Sequence, residues 1–291
     1  MEIQKSDKVT VLVTGARGLL GATLLRSLPA EKFHIQGSAA DVRTSSEVAR
    51  DIATPPSWII HTASITNVGY CEAHPREAYD VNVEGTKNML ALAKEHNARF
   101  LYISTMSVFD GATGGYRESD IPKPINVFNA TKRAGEEHTL AYKKGAVLRL
   151  NLIGIHPDGS RGKNFLEWLT DSFKTDTDLS LFDDVMINPL TNWQAGRLLP
   201  SILEYKGQES IFHFGSREVL SKGEIGMRVA EHFPLYRGTI SHTSVDQISD
   251  GVVRPKNTWL STDYTEEKLG VRMPSLEEGL EELFKLPPYA S

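Results

Sequence analysis

The stretch TGARGLLG at 14–21 constrains the fold of this chain more than any other feature. It follows the apolar run VTVLV at 9–13 directly and opens a segment of helical period, so it predicts a strand, a tight turn and a helix. Gly15, Gly18 and Gly21 lie three residues apart. Glycine at these places permits the turn and lets the backbone approach a pyrophosphate, which the free N–H groups at the helix start then bind.

Further apolar runs alternate with segments of helical period along the first half of the chain. The runs at 58–63, 99–104 and 146–155 predict buried strands, and the stretches 76–96 and 129–143 predict helices. Strands that alternate with helices predict a parallel sheet with helices on both faces. We therefore predict an α/β fold with a doubly wound parallel sheet of Rossmann type.

The pattern changes after Ile155, where a polar segment containing glycine is followed by helix-like segments with short strands between them. We divide the chain into an NAD(P)-binding Rossmann domain over 1–155 and a small C-terminal α/β lobe over 156–291. The lobe is predicted mainly to bind substrate, and some of its strands and helices are predicted to return to the first domain.

Composition argues against several classes of function. The net charge is −5 with a pI near 6.0, and no long cluster of Lys or Arg occurs, which argues against binding to nucleic acid or an anionic membrane. No apolar run reaches the ~20 residues that span a bilayer. The polar N-terminal residues do not resemble a signal peptide, and a single cysteine, Cys71, is typical of a reducing compartment, so we predict a cytoplasmic protein. The scattered histidines predict no metal site.

The glycine-rich turn predicts a nicotinamide dinucleotide as cofactor. An acidic residue at the end of the second strand favours NAD because it binds the ribose 2′-OH, but the first acid here is the late Asp41. Arg17 in the turn and Arg43 just after Asp41 are candidates to bind a 2′-phosphate. We therefore predict NADP(H) rather than NAD(H), with a solvated surface charge as the alternative interpretation of each arginine.

These residues, together with HTASITNVGYCEAHPREAYDVNVEGTKNML at 61–90, YISTMSVFDG at 102–111 and NVFNATKRAGE at 126–136, resemble the extended short-chain dehydrogenases/reductases. The branch they resemble contains dTDP-4-dehydrorhamnose reductase and its relative, the β regulatory subunit of methionine adenosyltransferase. The resemblance spans nearly the whole chain. It implies an oxidoreductase that passes hydride from NAD(P)H to the keto group of a nucleotide-linked sugar or a related carbonyl compound.

The family pattern also implies roles for individual residues. Thr105 occupies the position of the catalytic Ser/Thr, Lys132 that of the lysine that holds the nicotinamide ribose, and Asn82 would lie on the helix behind the site. The implied cofactor-binding residues are Gly15, Ala16, Arg17, Gly18, Leu19, Leu20, Gly21, Asp41, Val42, Ala63, Ser64, Thr66 and Lys132. The implied substrate-binding residues are Val68, Met106, Ser107, Asn151 and Leu152.

One departure from the family lies at a catalytic position. Phe128 stands where the family has the catalytic tyrosine, four residues before Lys132. In a helix these two positions lie one turn apart on the same face. Phenylalanine is the same ring without the proton, and removal of a positioned general acid typically lowers the rate by ~10²–10⁴. The substrate side departs as well, since Met106, Ser107 and Leu152 replace Asp, Tyr and Trp, which argues against dTDP-4-keto-rhamnose as the substrate.

Three accounts of Phe128 remain open. It is an engineered replacement of a native tyrosine, or a native residue of an enzyme with another acid (Thr105, Ser107, Tyr70 or a water), or the mark of a nucleotide-binding subunit that regulates a partner. The changes on the substrate side favour the second and third accounts. We predict a reductase first and a catalytically silent NADP(H)-binding regulatory subunit as the alternative, assembled as a homodimer or with a partner enzyme.

Overall fold

A parallel six-stranded sheet forms the centre of the computed structural model, which describes residues 8–159 and 164–285. The strands in chain order are β1 (Val9–Thr14), β2 (Phe33–Ser38), β3 (Trp58–His61), β4 (Arg99–Thr105), β5 (Gly145–Leu150), β6 (Leu152–Ile153), β7 (Leu179–Phe182), β8 (Met186–Ile187), β9 (Leu190–Thr191), β10 (Ile211–Phe214), β11 (Leu220–Ser221) and β12 (Ile240–Thr243). The main sheet has the order β2-β1-β3-β4-β5-β10, which confirms the predicted doubly wound α/β fold.

Helices follow most of these strands. In chain order they are α1 (Leu19–Ser27), α2 (Ser45–Arg50), α3 (Val68–Ala73), α4 (Pro75–Tyr79), α5 (Gly85–Glu95), α6 (Val127–Leu140), α7 (Phe165–Lys174), α8 (Asn192–Glu204), α9 (Lys222–Ala230), α10 (Asp263–Leu269) and α11 (Leu276–Phe284). A π-helical segment, Asp80–Glu84, joins α4 to α5, so the predicted helix over 76–96 is continuous but contains one wider turn. Within the described residues, no helix is both long and apolar enough to cross a bilayer.

Strand residues alternate between two apolar layers because successive side chains point to opposite faces of the sheet. Val11 and Val13 of β1 share a buried cluster with α1 and α8, whereas Leu12 between them joins a cluster with α2 and α5. Full burial of each such side chain contributes ~1.5–3 kcal/mol. The two layers fix the sheet between its helices and hold the carboxyl ends of the strands in place.

The C-terminal part of the chain contributes both to the main sheet and to a second apolar core, which it shares with Met106, Val108, Phe109, Tyr116 and Ile153. β10 pairs in parallel with β5 as the last strand of the sheet, and α8 packs beside α1. A separate apolar cluster joins α7, β7, α9 and α11. The main sheet therefore contains strands from both sides of residue 155.

Candidate functional site

The glycine turn between β1 and α1 has no room for a side chain at Gly15 or at Gly21. Gly15 has φ +69°, and a Cβ placed there would lie 2.6 Å from the Ala63 nitrogen. A Cβ on Gly21 would overlap the Gly15 carbonyl oxygen. Gly18 precedes α1 in an extended conformation, so the N–H groups of the first helical turn lie at the turn without helical acceptors. The free main-chain N–H groups at the start of α1 form a cradle whose chemistry fits a pyrophosphate.

A cleft of about 460 Å³ opens beside this turn at the carboxyl ends of β3, β4 and β5. Ligands of open α/β sheets bind at this edge. Of the predicted site residues, those that line the cleft are Gly18, Leu19, Leu20, Ser64, Thr66, Thr105, Ser107, Phe128, Lys132, Asn151 and Leu152. The other lining residues of the cleft are Thr62, Ile103, Ser104, Leu150 and Asn164.

The remaining predicted cofactor residues lie around the cleft rather than in its lining. Ala16 follows Gly15 in the turn, and its N–H donates to the Ser38 carbonyl at 3.0 Å. Arg17 is exposed, whereas Val42 is buried. The remaining members of this group are Gly15, Gly21, Ala63 and Asp41.

Asp41 forms an ion pair with Arg43. The Arg43 Nε donates to Asp41 Oδ2 at 2.9 Å and its Nη2 donates to the same oxygen at 2.5 Å. Hydrogen bonding from Arg43 lowers the pKa of the Asp41 carboxyl group. The carboxylate beyond β2 is therefore already neutralised by a guanidinium.

One buried face of α6 presents Phe128, Lys132 and Glu136 at successive turns. The Lys132 ammonium donates to the Ile103 carbonyl at 2.7 Å and lies 4.2 Å from the centroid of the Tyr102 ring. Burial lowers the pKa of Lys132 to about 7, although the nearby Glu136 carboxylate opposes that change. Lys132 therefore lies at the cleft as a group that exchanges its proton near neutral pH.

Phe128 lies one turn before Lys132 and lines the same cleft, which is the arrangement that the spacing predicts. Its ring is 8 % exposed and packs in a small cluster with Cys71 and Ala78. Burial raises the pKa of the Cys71 thiol to about 11, so the thiol stays protonated at neutral pH and is a poor nucleophile.

Two of the hydroxyl groups considered as alternative acids lie in the cleft. Thr105 Oγ1 accepts the Ser107 N–H at 3.1 Å, which leaves the proton of the threonine hydroxyl free for another acceptor. The Ser107 hydroxyl makes no hydrogen bond to any residue that the structure describes, and Ser107 lines the cleft. Tyr70 lies elsewhere, 40 % exposed, and its hydroxyl donates to Glu77 at 2.6 Å.

A row of polar residues crosses three adjacent strands beneath the cleft. The register places Ser104 of β4 opposite Arg149 of β5, and Arg149 opposite His213 of β10. Glu136 accepts from Ser104 at 2.7 Å and from two nitrogens of Arg149 at 2.8 and 2.9 Å. Burial and the Arg149 charge lower the pKa of His213 to about 3, so His213 is neutral. The sequence analysis did not anticipate this pairing of α6 with the sheet.

The loop after β3 is held by one side chain from the π-helical segment, Asn82. Its Oδ1 accepts from the Ser64 hydroxyl at 2.9 Å and from the Ile65 N–H at 2.8 Å. Its Nδ2 donates to the Ile65 carbonyl and to Thr131 Oγ1, both at 3.0 Å. Asn82 therefore lies behind the cleft, as the resemblance implies, and ties the loop to α6.

A smaller pocket of about 170 Å³, which we call the side pocket, adjoins the cleft and shares Ser107 and Asn151 with it. Its other lining residues are Val68, Met106, Asn126, Asn129, Val185, Ile187, Lys222, Val245, Arg254, Pro255 and Thr258. Four of the five predicted substrate residues thus line the side pocket, and the fifth, Leu152, lines only the cleft. Asn129, Lys222 and Arg254 were missed: Asn129 directly follows Phe128, but no spacing in the sequence signals the other two.

A larger cavity of about 680 Å³ lies near the amino end of β10. Its lining includes the carboxylates of Glu118, Glu209, Asp263 and Glu267 and none of the predicted site residues. Such a lining disfavours phosphate groups. Within the described parts of the chain, no group of three or more His, Cys, Asp or Glu side chains has the arrangement of a metal site.

A doubly wound sheet, a glycine turn after β1 and a lysine on the helix that follows β4 together define an extended short-chain dehydrogenase/reductase. Residues 9–286 match the family model described as the RmlD substrate binding domain, and the chain belongs to this family. This confirms the resemblance found in the sequence.

Similarity to individual proteins extends over nearly the full chain. A probable low-salt glycan biosynthesis reductase of Haloferax volcanii is 27 % identical, over 92 % of this chain and 95 % of the relative. The methionine adenosyltransferase 2 subunit beta of Bos taurus is 27 % identical, over 91 % of this chain and 84 % of the relative. The crystal structure of dTDP-4-dehydrorhamnose reductase from Bacillus anthracis in complex with NADP superposes with a TM-score of 0.86 at 26 % identity, covering 95 % of this chain and 99 % of that one.

Proposed function

We propose that this protein is an NADP(H)-dependent reductase that reduces the keto group of a nucleotide-linked sugar or a related carbonyl compound. The observation that carries the proposal is that one cleft joins the glycine turn to Thr105 and Lys132. The Haloferax volcanii and Bacillus anthracis relatives are both named as reductases.

The residues of the cleft have two tasks in such a reaction: they hold the substrate carbonyl and they supply a proton to its oxygen. The reduced nicotinamide, when bound, supplies the hydride. Thr105 has a free hydroxyl proton and donates a hydrogen bond to the carbonyl oxygen, which polarises the carbonyl. Lys132, with its pKa near 7, is matched to proton transfer at neutral pH and replaces the missing tyrosine as the source of the proton.

The surroundings of β2 support NADP(H) rather than NAD(H). NAD is favoured where a free carboxylate binds the ribose 2′-OH, but Asp41 is already paired with Arg43. Arg17 lies exposed in the glycine turn, and its side chain has no hydrogen bond or ion pair with any described residue. A guanidinium in that position suits a 2′-phosphate, which it binds through two parallel hydrogen bonds. The related Bacillus anthracis structure contains NADP.

A second candidate function is a catalytically silent, NADP(H)-binding regulatory subunit of another enzyme. Phe128 is the observation that favours it, because the ring reaches the cleft without a proton to donate. A relative named as a β subunit of methionine adenosyltransferase matches 91 % of this chain, against 92 % for the Haloferax volcanii reductase. In this case the cleft binds cofactor as a structural ligand and the activity belongs to the partner.

NADPH consumption separates the two candidates. Native protein and Phe128→Tyr are compared on a panel of nucleotide-linked 4-keto sugars, with NADPH affinity measured in parallel. We expect slow turnover by the native chain and a gain of ~10²–10⁴ in Phe128→Tyr, because the new hydroxyl lies one turn from Lys132. Equal rates in both proteins would show that the acid is already present elsewhere in the cleft.

Two further variants control this comparison. Phe128→Leu removes the ring without adding a proton, so it should not gain activity. Phe128→Tyr combined with Lys132→Met should lose most of the gain if the tyrosine depends on the lysine. NADPH binding without turnover in native and Phe128→Tyr proteins would contradict the reductase proposal and favour the regulatory subunit.

A further inference from the structure

Lys222 carries a half-buried ammonium group that has no counter-charge among the described residues. It is the first residue of α9, and its Nζ lies 5.5 Å from the centroid of the Phe165 ring and 5.8 Å from that of Phe182. Its ammonium makes no hydrogen bond and no ion pair with the described residues. Burial and the nearby charge of Arg254 lower the pKa of Lys222. The start of a helix is also the end at which a cation is least favourable.

Asn129 is a second group without a partner, on the opposite wall of the side pocket. The residue is 1 % exposed, and neither Oδ1 nor Nδ2 has a hydrogen-bond partner among the described residues. Nearly all buried polar groups in folded proteins are paired, so an unpaired carboxamide requires a reason. Asn129 lies in the first turn of α6, directly after Phe128.

The charge of the side pocket has one sign. Its lining contains two cations, Lys222 and Arg254, and no carboxylate among the described residues. Arg254 is already neutralised, because its Nη2 lies 2.5 Å from Asp250 Oδ2. The positive charge of Lys222 therefore remains uncompensated, and the Asn129 amide remains unpaired among the described residues. An anion is the ligand that satisfies both.

The size of the side pocket limits what that anion is. Its volume of about 170 Å³ corresponds to roughly five or six water molecules. This is room for one sugar-sized or phosphate-sized group and not for a nucleoside. Ser107 and Asn151 line both the pocket and the cleft, so a group in the pocket is continuous with a carbonyl held near Thr105.

We propose that the side pocket binds an anionic oxygen group of the substrate, and that Lys222 and Asn129 select for it. The inference rests on the proposed function in taking the ligand to be the substrate of the adjoining cleft. Two sources offer the same chemistry: a carboxylate on the sugar and the diphosphate of its nucleotide carrier. An anion there pairs with the Lys222 ammonium and accepts from the Asn129 amide.

Calorimetric titration of the full chain tests this without turnover. The probes are UDP-glucuronate, UDP-glucose and dTDP, and the variants are Lys222→Met, Asn129→Leu and the control Lys206→Met, an exposed lysine outside the site. If the carboxylate is the anion, UDP-glucuronate binds more tightly than UDP-glucose, and Lys222→Met removes the difference. If the diphosphate is the anion, Lys222→Met weakens all three probes by roughly 10- to 100-fold, as expected for a charged hydrogen bond.

Thermal stability supplies a second readout. If Asn129 only stabilised the fold, its replacement would lower Tm. Asn129→Leu removes an unpaired buried amide, so it should raise Tm by about 2 °C or more while it weakens binding of the anion. The proposal is overturned if native protein binds none of the probes, or if both variants bind them like Lys206→Met. NADPH affinity, measured on the same samples, reports separately on the proposed function.

Discussion

Two asparagines, each 1 % exposed, show how differently the two sides of the cleft are built. Asn82, behind the cofactor side, uses its amide in four hydrogen bonds. Asn129, on the substrate side, uses its amide in none with the described residues. In the unfolded chain, water forms hydrogen bonds with both side-chain amides. On folding, both amides lose these bonds, and only Asn82 replaces them with bonds inside the protein. The amide of Asn82 is thus fully paired within the chain, whereas the amide of Asn129, on the side proposed to bind the substrate, is left for a ligand to pair.

The largest expected effect comes from removing the paired asparagine. Asn82→Leu removes the acceptor of the Ile65 N–H and the amide donor to the Ile65 carbonyl, which keeps only its longer contacts with the Ser64 hydroxyl and the Cys71 thiol. A buried group left unpaired costs ~1–3 kcal/mol. We expect the free energy of unfolding to fall by roughly 2–5 kcal/mol. Urea unfolding at constant m-value measures it.

The matched control is Asn129→Leu, the same substitution at an equally buried asparagine. It removes no hydrogen bond between the side chain and the described residues, so its free energy of unfolding should equal or exceed that of the native protein. If Asn129→Leu loses as much free energy of unfolding as Asn82→Leu, the inferred difference between the paired and the unpaired asparagine is wrong.

The next effect concerns the glycine turn. Gly15→Ala forces a side chain into a positive-φ conformation and against the Ala63 backbone, so we expect a loss of roughly 2–3 kcal/mol in stability and at least a tenfold loss in NADPH affinity. Gly270→Ala is the control, because Gly270 has φ +64° and a Cβ added there would have no described atom within 4 Å. It should lose about 1 kcal/mol and no affinity. Equal effects on affinity would argue against a phosphate cradle.

The smallest effect is a pH dependence that arises from Lys132. Its pKa is about 7 in the folded protein and ~10.4 in an unfolded chain, so between these values the unfolded state binds more protons. Stability therefore rises with pH in this window, by about 2 kcal/mol between pH 7 and pH 9 relative to Lys132→Met. Urea unfolding of both proteins at several pH values measures the difference. Parallel curves would show that the lysine stays fully charged in the native state across this window.

Local patterns account for what the sequence predicted well. The apolar run before Gly15 and the helical period after it define a strand, a turn and a helix within one short segment. Phe128 and Lys132 lie on one face of α6 because a spacing of four residues is close to one helical turn. These relationships depend only on residues that are close in sequence, so they do not require long-range contacts to be predicted.

What the sequence did not predict depends on contacts between distant segments. Asn129 and Lys222 meet at the side pocket only because the C-terminal lobe packs against α6. Arg149 pairs with Glu136 because β5 and α6 lie side by side, and nothing in the composition of either segment indicates a buried ion pair. The π-helical segment at Asp80–Glu84 was missed because its apolar spacing differs little from that of an α-helix.

The position of β10 has a consequence for how the protein is made. A ribosome delivers the chain from its N-terminus, and the first five strands of the sheet emerge long before Phe214. Until β10 arrives, β5 is an open edge with unpaired N–H and carbonyl groups, which is a template for wrong pairing with other chains. The nascent protein therefore exposes an aggregation-prone edge strand while α7 and α8 are being synthesised. In a fragment that ends at residue 155, β5 remains an exposed edge strand.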